Sequence, residues 1–218
     1  VMETVIFDCD GVLVDSEKLS CGAWLPVLAR RGIHAQLSDI EAFIGMSDGA
    51  VLRHYRRLTG AHLADEAIGE KEAEYIRQAR DHLVTFTGLP QVLDALSARG
   101  AALAVASSGS QQKIRFSLEL TGLDRYFTTI CSAAEVERGK PAPDLFLHTA
   151  RQLDRDPASC VVVEDSVPGI QGARAAGMRA LGFTSSHPAS SLLAAGAGAL
   201  FDRYADFEEG LAAVRGAN

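Results

Sequence analysis

The sequence lacks any apolar run long enough to span a bilayer. It is also poor in cysteine, with four in 218 residues and no CxxC pair. The chain enters a strand-like segment without a basic and then apolar leader, so we expect no secretion signal. We therefore expect reduced cysteines, a cytoplasmic protein and no membrane partner. The sequence does not determine the oligomeric state and is compatible with a monomer.

Basic residues are outnumbered: 21 Lys and Arg face 28 Asp and Glu, a net charge of −7. Because nucleic-acid binding needs a basic surface, this balance argues against a nucleic-acid partner. An anionic substrate would have to be attracted locally, by a metal, a lysine or helix N-termini. A length of 218 residues suits one domain with an insertion.

Short apolar segments alternate with helical patterns over most of the chain. The segments show no clean polar alternation, which is typical of parallel strands covered on both faces. Their order predicts an α/β fold with a Rossmann-like, doubly wound parallel sheet. The predicted strands are residues 4–8, 102–107, 128–131, 160–164 and 179–183, with a weaker one at 199–201.

One region, residues 16–86, contains no convincing strand. Trp24, Val27 and Leu28 recur at helical spacing, which indicates a buried helix face. The region is predicted to be a helical cap domain, inserted into a core of residues 1–15 and 87–218. Since ligands of open α/β sheets bind at the carboxyl ends of the strands, an insertion after the first strand can act as a lid. Further helices are predicted in this region at 47–59 and 65–80.

Two carboxylates follow the first strand, in the order Asp8-Cys9-Asp10-Gly11. Side chains two apart on a strand point the same way, so Asp8 and Asp10 are expected to project together. Close carboxylates repel each other unless a cation or a shared proton relieves them. The pair predicts a hard metal with oxygen ligands, an acid/base pair, or both. Taken alone, the fragment also fits a simple Asp-Gly turn.

Later segments add further polar groups at strand ends. Ser107 and Ser108 follow the second strand, Lys140 lies in a loop stiffened by two prolines, and Glu164-Asp165 end the fourth strand. Each group alone also fits a helix cap or a solvated side chain. Together with the aspartate pair they suit phosphoryl transfer, which needs a nucleophile, an acid/base, a metal and phosphate clamps.

These motifs resemble those of haloacid dehalogenase (HAD) superfamily hydrolases with a helical, C1-type cap. Within the superfamily, the motifs resemble most the branch near β-phosphoglucomutase and phosphoglycolate phosphatase. The resemblance covers nearly the whole chain. It rests on FDCDGVLVDSE from Phe7, on Ser107, on GKPAPD from Gly139 and on VEDS from Val163.

The resemblance implies roles for four acidic residues. Asp8 would attack the phosphoryl group and form an aspartyl-phosphate. Asp10 would protonate the leaving oxygen and then activate water. A Mg²⁺ cofactor would be held by Asp8, the backbone carbonyl of Asp10 and Asp165, with Glu164 nearby. Mg²⁺ suits such a site because it prefers a few carboxylates together with water and substrate phosphate.

The same resemblance implies a phosphate-binding set. Ser107 and the backbone amide of Ser108 would hold phosphate oxygens, and Lys140 would neutralise their charge. The expected enzyme is a Mg²⁺-dependent phosphatase, a phosphoric monoester hydrolase that acts on a sugar, sugar-acid or polyol phosphate. Its partner is a small phosphorylated molecule.

Two alternatives remain beside hydrolysis. A β-phosphoglucomutase-like mutase would grip a second phosphate with a histidine and an arginine, and the matching positions here are Ser20 and Asp48. A neutral residue and an acid would not attract a phosphate dianion. A non-catalytic module that binds a phosphorylated ligand would have lost an essential group, whereas all are present. Dehalogenases of the superfamily lack the second aspartate, so Asp10 argues against that chemistry.

Substrate choice is assigned to the cap. Gly45, Met46, Ser47 and Asp48 resemble a specificity loop that faces the site. In this interpretation the Asp48 carboxylate hydrogen-bonds sugar or polyol hydroxyls.

Overall fold

The structure is a computed structural model and describes residues 3–44, 47–60 and 63–216. The chain forms two compact units. One contains the residues up to Asp15 together with those from Val84 onward, and the other is Ser16–Leu83. The first boundary lies where the sequence placed it, whereas the second falls at 83/84 instead of 86/87. Thr85 explains the difference, because it bridges to Val14 and its hydroxyl donates to the Leu13 carbonyl at 2.8 Å.

The first unit is built on a six-stranded sheet in the order β3-β2-β1-β4-β5-β6. Every neighbouring pair is parallel, which confirms the predicted α/β fold. The predicted strand bounds match the observed ones except at two strands. The first strand ends one residue earlier than predicted, and the third begins and ends one residue later. The strands are β1 (Thr4–Phe7), β2 (Ala102–Ser107), β3 (Thr129–Ser132), β4 (Cys160–Glu164), β5 (Arg179–Phe183) and β6 (Ala199–Phe201).

The α-helices of the described residues divide between the two units. Those of the helical unit are α1 (Glu17–Gly22), α2 (Trp24–Ala29), α3 (Leu37–Glu41), α4 (Asp48–Thr59) and α5 (Glu66–His82). Those of the sheet unit are α6 (Leu89–Ala98), α7 (Gln111–Thr121), α8 (Asp144–Gln152), α9 (Val167–Ala175), α10 (Ala189–Ala195) and α11 (Phe207–Gly216). Short 3₁₀ helices lie at Asp124–Tyr126, Ala133–Glu135, Pro157–Ser159 and Tyr204–Asp206.

Apolar side chains cover both faces of the sheet, as expected for parallel strands. On one face Phe146 of α8 and Ile170 of α9 pack in a fully buried cluster with the strand residues. Elsewhere in the unit, the ring of Phe7 stacks on that of Phe207 of α11, with centroids 6.1 Å apart. This burial fixes the sheet as a rigid platform for the polar groups at its edge.

The strand order places a switch point beside β1, because β2 lies on one side of it and β4 on the other. Phe7 is paired with Val105 of β2 and with Val163 of β4. The next residue of each strand therefore reaches the same carboxyl edge, which puts Asp8 beside Glu164. Polar residues at this edge form the candidate site.

The helical unit has a core of its own. Trp24, Val27 and Leu28 are at most 1% exposed, which confirms the predicted buried face of α2. Pro26 is the third residue of α2, so its missing N–H falls in the first turn, where no intrahelical partner is needed. The other buried members of this core include Ile40, Val51, Leu52, Tyr55 and Leu63.

Within the described ranges, no helix has both the length and the apolar character that crossing a membrane requires.

Candidate active site

The turn after β1 holds its first aspartate rigidly. The Asp8 N–H donates to the Val163 carbonyl at 3.0 Å, so the sheet pairing continues through this residue. The N–H groups of Leu13 and Val14 both donate to the Cys9 carbonyl, at 2.9 and 3.1 Å, and close the turn. Asp8 is 7% exposed and Cys9 is 1% exposed. The first carboxylate therefore sits in a largely desolvated position.

Three buried carboxylates meet at the carboxyl edge of the sheet. Oxygens of Asp8, Glu164 and Asp165 all lie within 4.8 Å of one another. Gly11 makes room for one of them, since a Cβ at this residue would lie 2.1 Å from Asp165 Oδ2. Its φ of +76° is a left-handed conformation that glycine tolerates best. An all-oxygen cluster of this kind is the ligand set of a hard cation.

Lys140 contacts two of these carboxylates. Its Nζ donates to Asp8 Oδ1 and to Glu164 Oε1, both at 2.6 Å, and to the Ala106 carbonyl at 3.1 Å. These contacts use the three donors of an ammonium group. Burial alone would lower the pKa of Lys140, but the two carboxylates outweigh burial and raise it. The lysine is therefore a fixed positive charge.

Glu164 links Lys140 to the start of α9. Its Oε2 accepts hydrogen bonds from the backbone N–H and the hydroxyl of Ser166, each at 2.8 Å. Ser166 in turn caps α9, because its Oγ accepts from the Gly169 N–H at 3.1 Å. A Cβ at Gly169 would lie 1.9 Å from the Glu164 carboxyl group, so this helix start also needs a glycine. Both Glu164 oxygens thus accept protein hydrogen bonds, and the residue holds Lys140 in place.

The cluster carries more carboxylates than ammonium groups at its centre. Burial raises the pKa of Asp8 to about 7; Lys140 opposes this shift, whereas Glu164 and Asp10 add to it. A cation among the carboxylates would offset their repulsion and favour the ionised form of Asp8.

Asp10 has a partner that the sequence did not indicate. The Lys113 Nζ donates to Asp10 Oδ2 at 2.7 Å, and the lysine side chain is only 8% exposed. Lys113 lies in the first turn of α7, on the same buried face as Ile114 and Ser117. A lysine among buried positions of an amphipathic helix was the signal that could have singled it out.

The predicted phosphate-binding serines lie at the end of β2 and in the turn that leads to α7. Ser107 ends β2, is 1% exposed and accepts a hydrogen bond from the Gly109 N–H at 3.3 Å. It directly follows Ala106, whose carbonyl contacts Lys140. Ser108 is exposed. The structure therefore brings Asp8, Lys140, Glu164 and Asp165 together and places Ser107 at the same edge.

The profile of the family described as "Haloacid dehalogenase-like hydrolase" matches residues 5–183. The chain belongs to this family. The matched region contains every residue of the edge cluster described above.

Named relatives of this HAD chain include enzymes of similar length and longer proteins. It is 34% identical to the fructose-1-phosphate phosphatase YqaB of Escherichia coli (strain K12) over 178 residues, 81% of this chain and 94% of the relative. It is 33% identical to the protein SUPPRESSOR OF QUENCHING 1, chloroplastic, of Arabidopsis thaliana over 185 residues, 83% of this chain. That match spans only 18% of the Arabidopsis protein.

A solved HAD structure supports the same assignment. The HAD family hydrolase of Deinococcus radiodurans R1, with bound phosphate and sodium, superposes with a TM-score of 0.76 at 30% identity. The match covers 98% of this chain and 96% of that one.

Two of the predicted specificity residues of this HAD chain, Ser47 and Asp48, lie in the described part of the helical unit. Gly45 and Met46 are outside the described residues, and Ser47 directly precedes α4. The Asp48 carboxylate accepts from Trp24 Nε1 at 3.1 Å. Its role toward a substrate stays a prediction.

A buried lysine that the sequence did not indicate completes this polar network. The Lys71 Nζ lies 3.0 Å from Asp48 Oδ1 and donates to Ser20 Oγ at 2.8 Å. The lysine side chain is 4% exposed and that of Asp48 is 36% exposed. Ser20 and Asp48 are the positions compared above with those of a mutase. The lysine balances the charge of Asp48, so this location is less acidic than the two residues alone suggested.

Proposed function

We propose that this HAD-family protein is a Mg²⁺-dependent phosphatase that hydrolyses a small phosphate monoester through an aspartyl-phosphate. The observation that carries the proposal is the Asp8 carboxylate, buried beside Glu164 and Asp165 and held by Lys140 at 2.6 Å. Asp10 follows two residues later and supplies a second carboxylate for proton transfer. The similarity to a fructose-1-phosphate phosphatase supports this reaction class.

The donor set at the sheet edge fits Mg²⁺. Asp8 and Asp165 offer carboxylate oxygens, and we assign the third protein ligand to the Asp10 carbonyl, as the family resemblance implies. Glu164 completes the acidic cluster while it holds Lys140 and Ser166. When bound, Mg²⁺ would neutralise charge on the phosphoryl oxygens and offset the repulsion among the carboxylates.

In the first half-reaction, an oxygen of Asp8 forms a bond to phosphorus as the bond to the leaving oxygen breaks. Asp10 donates a proton to that leaving oxygen, so that an alcohol departs. Lys113 fixes one oxygen of Asp10 and thereby the direction of the carboxyl group. Lys140 and Ser107 stabilise charge on the phosphoryl oxygens, which is the main requirement of phosphoryl transfer.

In the second half-reaction, Asp10 removes a proton from water, and the water oxygen attacks the phosphorus of the aspartyl-phosphate. The bond between phosphorus and Asp8 breaks, phosphate leaves and the carboxylate is restored. The same residue acts first as acid and then as base, which returns the enzyme to its starting protonation state.

We assign the choice among sugar, sugar-acid and polyol phosphates to the helical unit. Its network of Asp48, Lys71 and Ser20 combines a carboxylate, an ammonium and a hydroxyl, groups that hydrogen-bond polyols well. We place the enzyme in a reducing compartment such as the cytoplasm. The four cysteines, which are all buried and free, support that placement.

The test is phosphate release from a panel of sugar, sugar-acid and polyol phosphates, with Mg²⁺ and with EDTA. We expect Mg²⁺-dependent release that Asp8→Asn lowers by at least about 10⁴-fold, because the nucleophile is lost. The matched control is Asp202→Asn, an exposed aspartate of the same unit, which should keep full activity. Full release in EDTA, or an active Asp8→Asn enzyme, would contradict the proposal.

The same panel separates hydrolysis from the mutase alternative. A mutase would interconvert sugar phosphate isomers and release little phosphate. That outcome would show that the network around Lys71 accepts a second phosphate, although Lys71 and Asp48 balance each other's charge.

A further inference from the structure

A second group of metal-ligating side chains lies in the sheet unit, apart from the carboxylates of the active site. It consists of Cys131 on β3, Glu135 at the end of a 3₁₀ turn and His148 on α8. One ligand atom from each, the thiol sulfur, a carboxylate oxygen and an imidazole nitrogen, lies within 4.8 Å of the others. Cys131 is buried, His148 is partly exposed and Glu135 is exposed, so the group has one side open to solvent.

The carboxylate of this group is already oriented by its neighbours. Glu135 Oε1 accepts from Gln111 Nε2 at 2.7 Å, and the same nitrogen donates to the Ile130 carbonyl at 2.7 Å. Glu135 Oε2 lies 3.3 Å from His148 Nε2 and accepts from the Ser132 N–H at 3.3 Å. Outer partners of this kind fix the direction of metal ligands in known sites.

We propose that Cys131, Glu135 and His148 form a second metal site, for a borderline transition metal of the Zn²⁺ class. Thiolate, imidazole and carboxylate are the ligands that Zn²⁺ takes in proteins, and a water on the open side supplies the fourth position. On binding, the Cys131 thiol gives its proton to solvent and coordinates as a thiolate.

The spacing of the group suits such an ion. Tetrahedral Zn²⁺ with bonds of about 2.0–2.3 Å holds its ligand atoms about 3.3–3.8 Å apart. A group whose ligand atoms lie within 4.8 Å of one another reaches that spacing by side-chain adjustment. The mixed sulfur, nitrogen and oxygen set differs in kind from the all-oxygen cluster of Asp8, Glu164 and Asp165. The two sites therefore select different metals.

The site has a structural consequence for the phosphatase residues. The segment between Glu135 and His148 carries Lys140, the lysine that contacts Asp8. An ion bound to Glu135 and His148 would tie together the two ends of that segment. Metal binding would then stabilise the loop that delivers Lys140.

The first test is a Co²⁺ titration of the whole protein, followed by absorption. Co²⁺ substitutes for Zn²⁺, and a thiolate ligand gives it a strong near-ultraviolet charge-transfer band that oxygen ligands do not give. We expect this band in the wild type and in Cys160→Ser, which changes another buried strand cysteine. We expect its loss in Cys131→Ser. A band that survives Cys131→Ser, or no band in the wild type, would overturn the proposal.

His148→Gln is a second variant that leaves the buried thiol in place. It should weaken Co²⁺ binding by at least about tenfold. Removing a residue that only orients a metal ligand lowers metal affinity by about tenfold or more, and removing a ligand itself should cost no less. His34→Gln, an exposed histidine of the helical unit, is the matched control. Equal affinities for His148→Gln and wild type would also overturn the proposal.

Zinc analysis of Asp165→Asn protein separates this site from the active site. We expect it to retain one Zn²⁺, and the double variant Asp165→Asn/Cys131→Ser to retain none. Loss of all Zn²⁺ in Asp165→Asn alone would mean binding at the carboxylates only, against the proposal. The Co²⁺ charge-transfer band can also be recorded in Asp8→Asn protein, so the outcome of the metal test does not depend on whether the protein is a phosphatase.

Discussion

Lys140 of the sheet unit and Lys71 of the helical unit both have buried side chains, and the two lysines differ in what surrounds them. Lys140 in the sheet unit contacts two carboxylates, with Asp165 as a third close by. Lys71 in the helical unit contacts one carboxylate, Asp48, and a serine hydroxyl. Acidic groups outnumber the lysine in the first cluster, while the second is balanced. The first suits a cation and phosphoryl chemistry, and the second suits recognition of uncharged polar groups.

The largest effect is expected at Lys140. Lys140→Met should lower kcat by about 10²–10³-fold, because a preorganised charge beside the phosphoryl group is lost. It should also lower the free energy of unfolding by about 3 kcal/mol, since removing one partner leaves buried carboxylates uncompensated. Steady-state kinetics and urea denaturation measure the two effects. Lys18→Met, at an exposed lysine, should change neither.

A smaller effect is expected at Lys113, whose ammonium group contacts Asp10. Lys113→Met should lower kcat by about 10- to 100-fold and leave KM near its original value, because the carboxyl group that transfers protons loses its orientation. Lys113→Arg should restore part of the rate, since the charge and a donor remain. If Lys113→Met matched the wild type in kcat, Lys113 would have only a structural role.

The smallest effect on rate is expected at Lys71. Lys71→Met should raise KM by about tenfold for the preferred substrate and change kcat by less than about twofold, because the network binds substrate equally before and during the reaction. The differences in kcat/KM among sugar, sugar-acid and polyol phosphates should become smaller. A kcat loss as large as that of Lys140→Met would erase the contrast between the two lysines.

Much of the sheet unit was predictable from the sequence because its polar residues follow directly from strand ends. Once β1 and β4 are aligned in parallel, Asp8 and Glu164 must reach the same edge. Lys140 was recognisable through the resemblance of its GKPAPD segment to the family motif, because a loop lysine alone also fits a solvated side chain. The strand ends and the family motifs together therefore predicted most of the candidate site.

The contacts that could not be predicted from the sequence join side chains that lie far apart along the chain. Lys113 and Asp10 are separated by 103 residues, and Lys71 and Asp48 by 23. No local pattern pairs such residues, because the packing of helices on other elements brings them together. The second boundary of the helical unit lies at 83/84 and not at the predicted 86/87 for a similar reason, since Thr85 pairs with Val14, which is far away in sequence.

The most direct test of the two-step mechanism is a search for the phosphorylated enzyme. Asp10→Asn protein, mixed with an aryl phosphate whose leaving group departs without a proton and quenched in acid, would be digested and analysed by mass spectrometry. The mechanism predicts a phosphoryl group on Asp8, accumulated because the residue that activates water is lost. Slow phosphate release with Asp8 unmodified at every time point would contradict it and indicate direct attack by water.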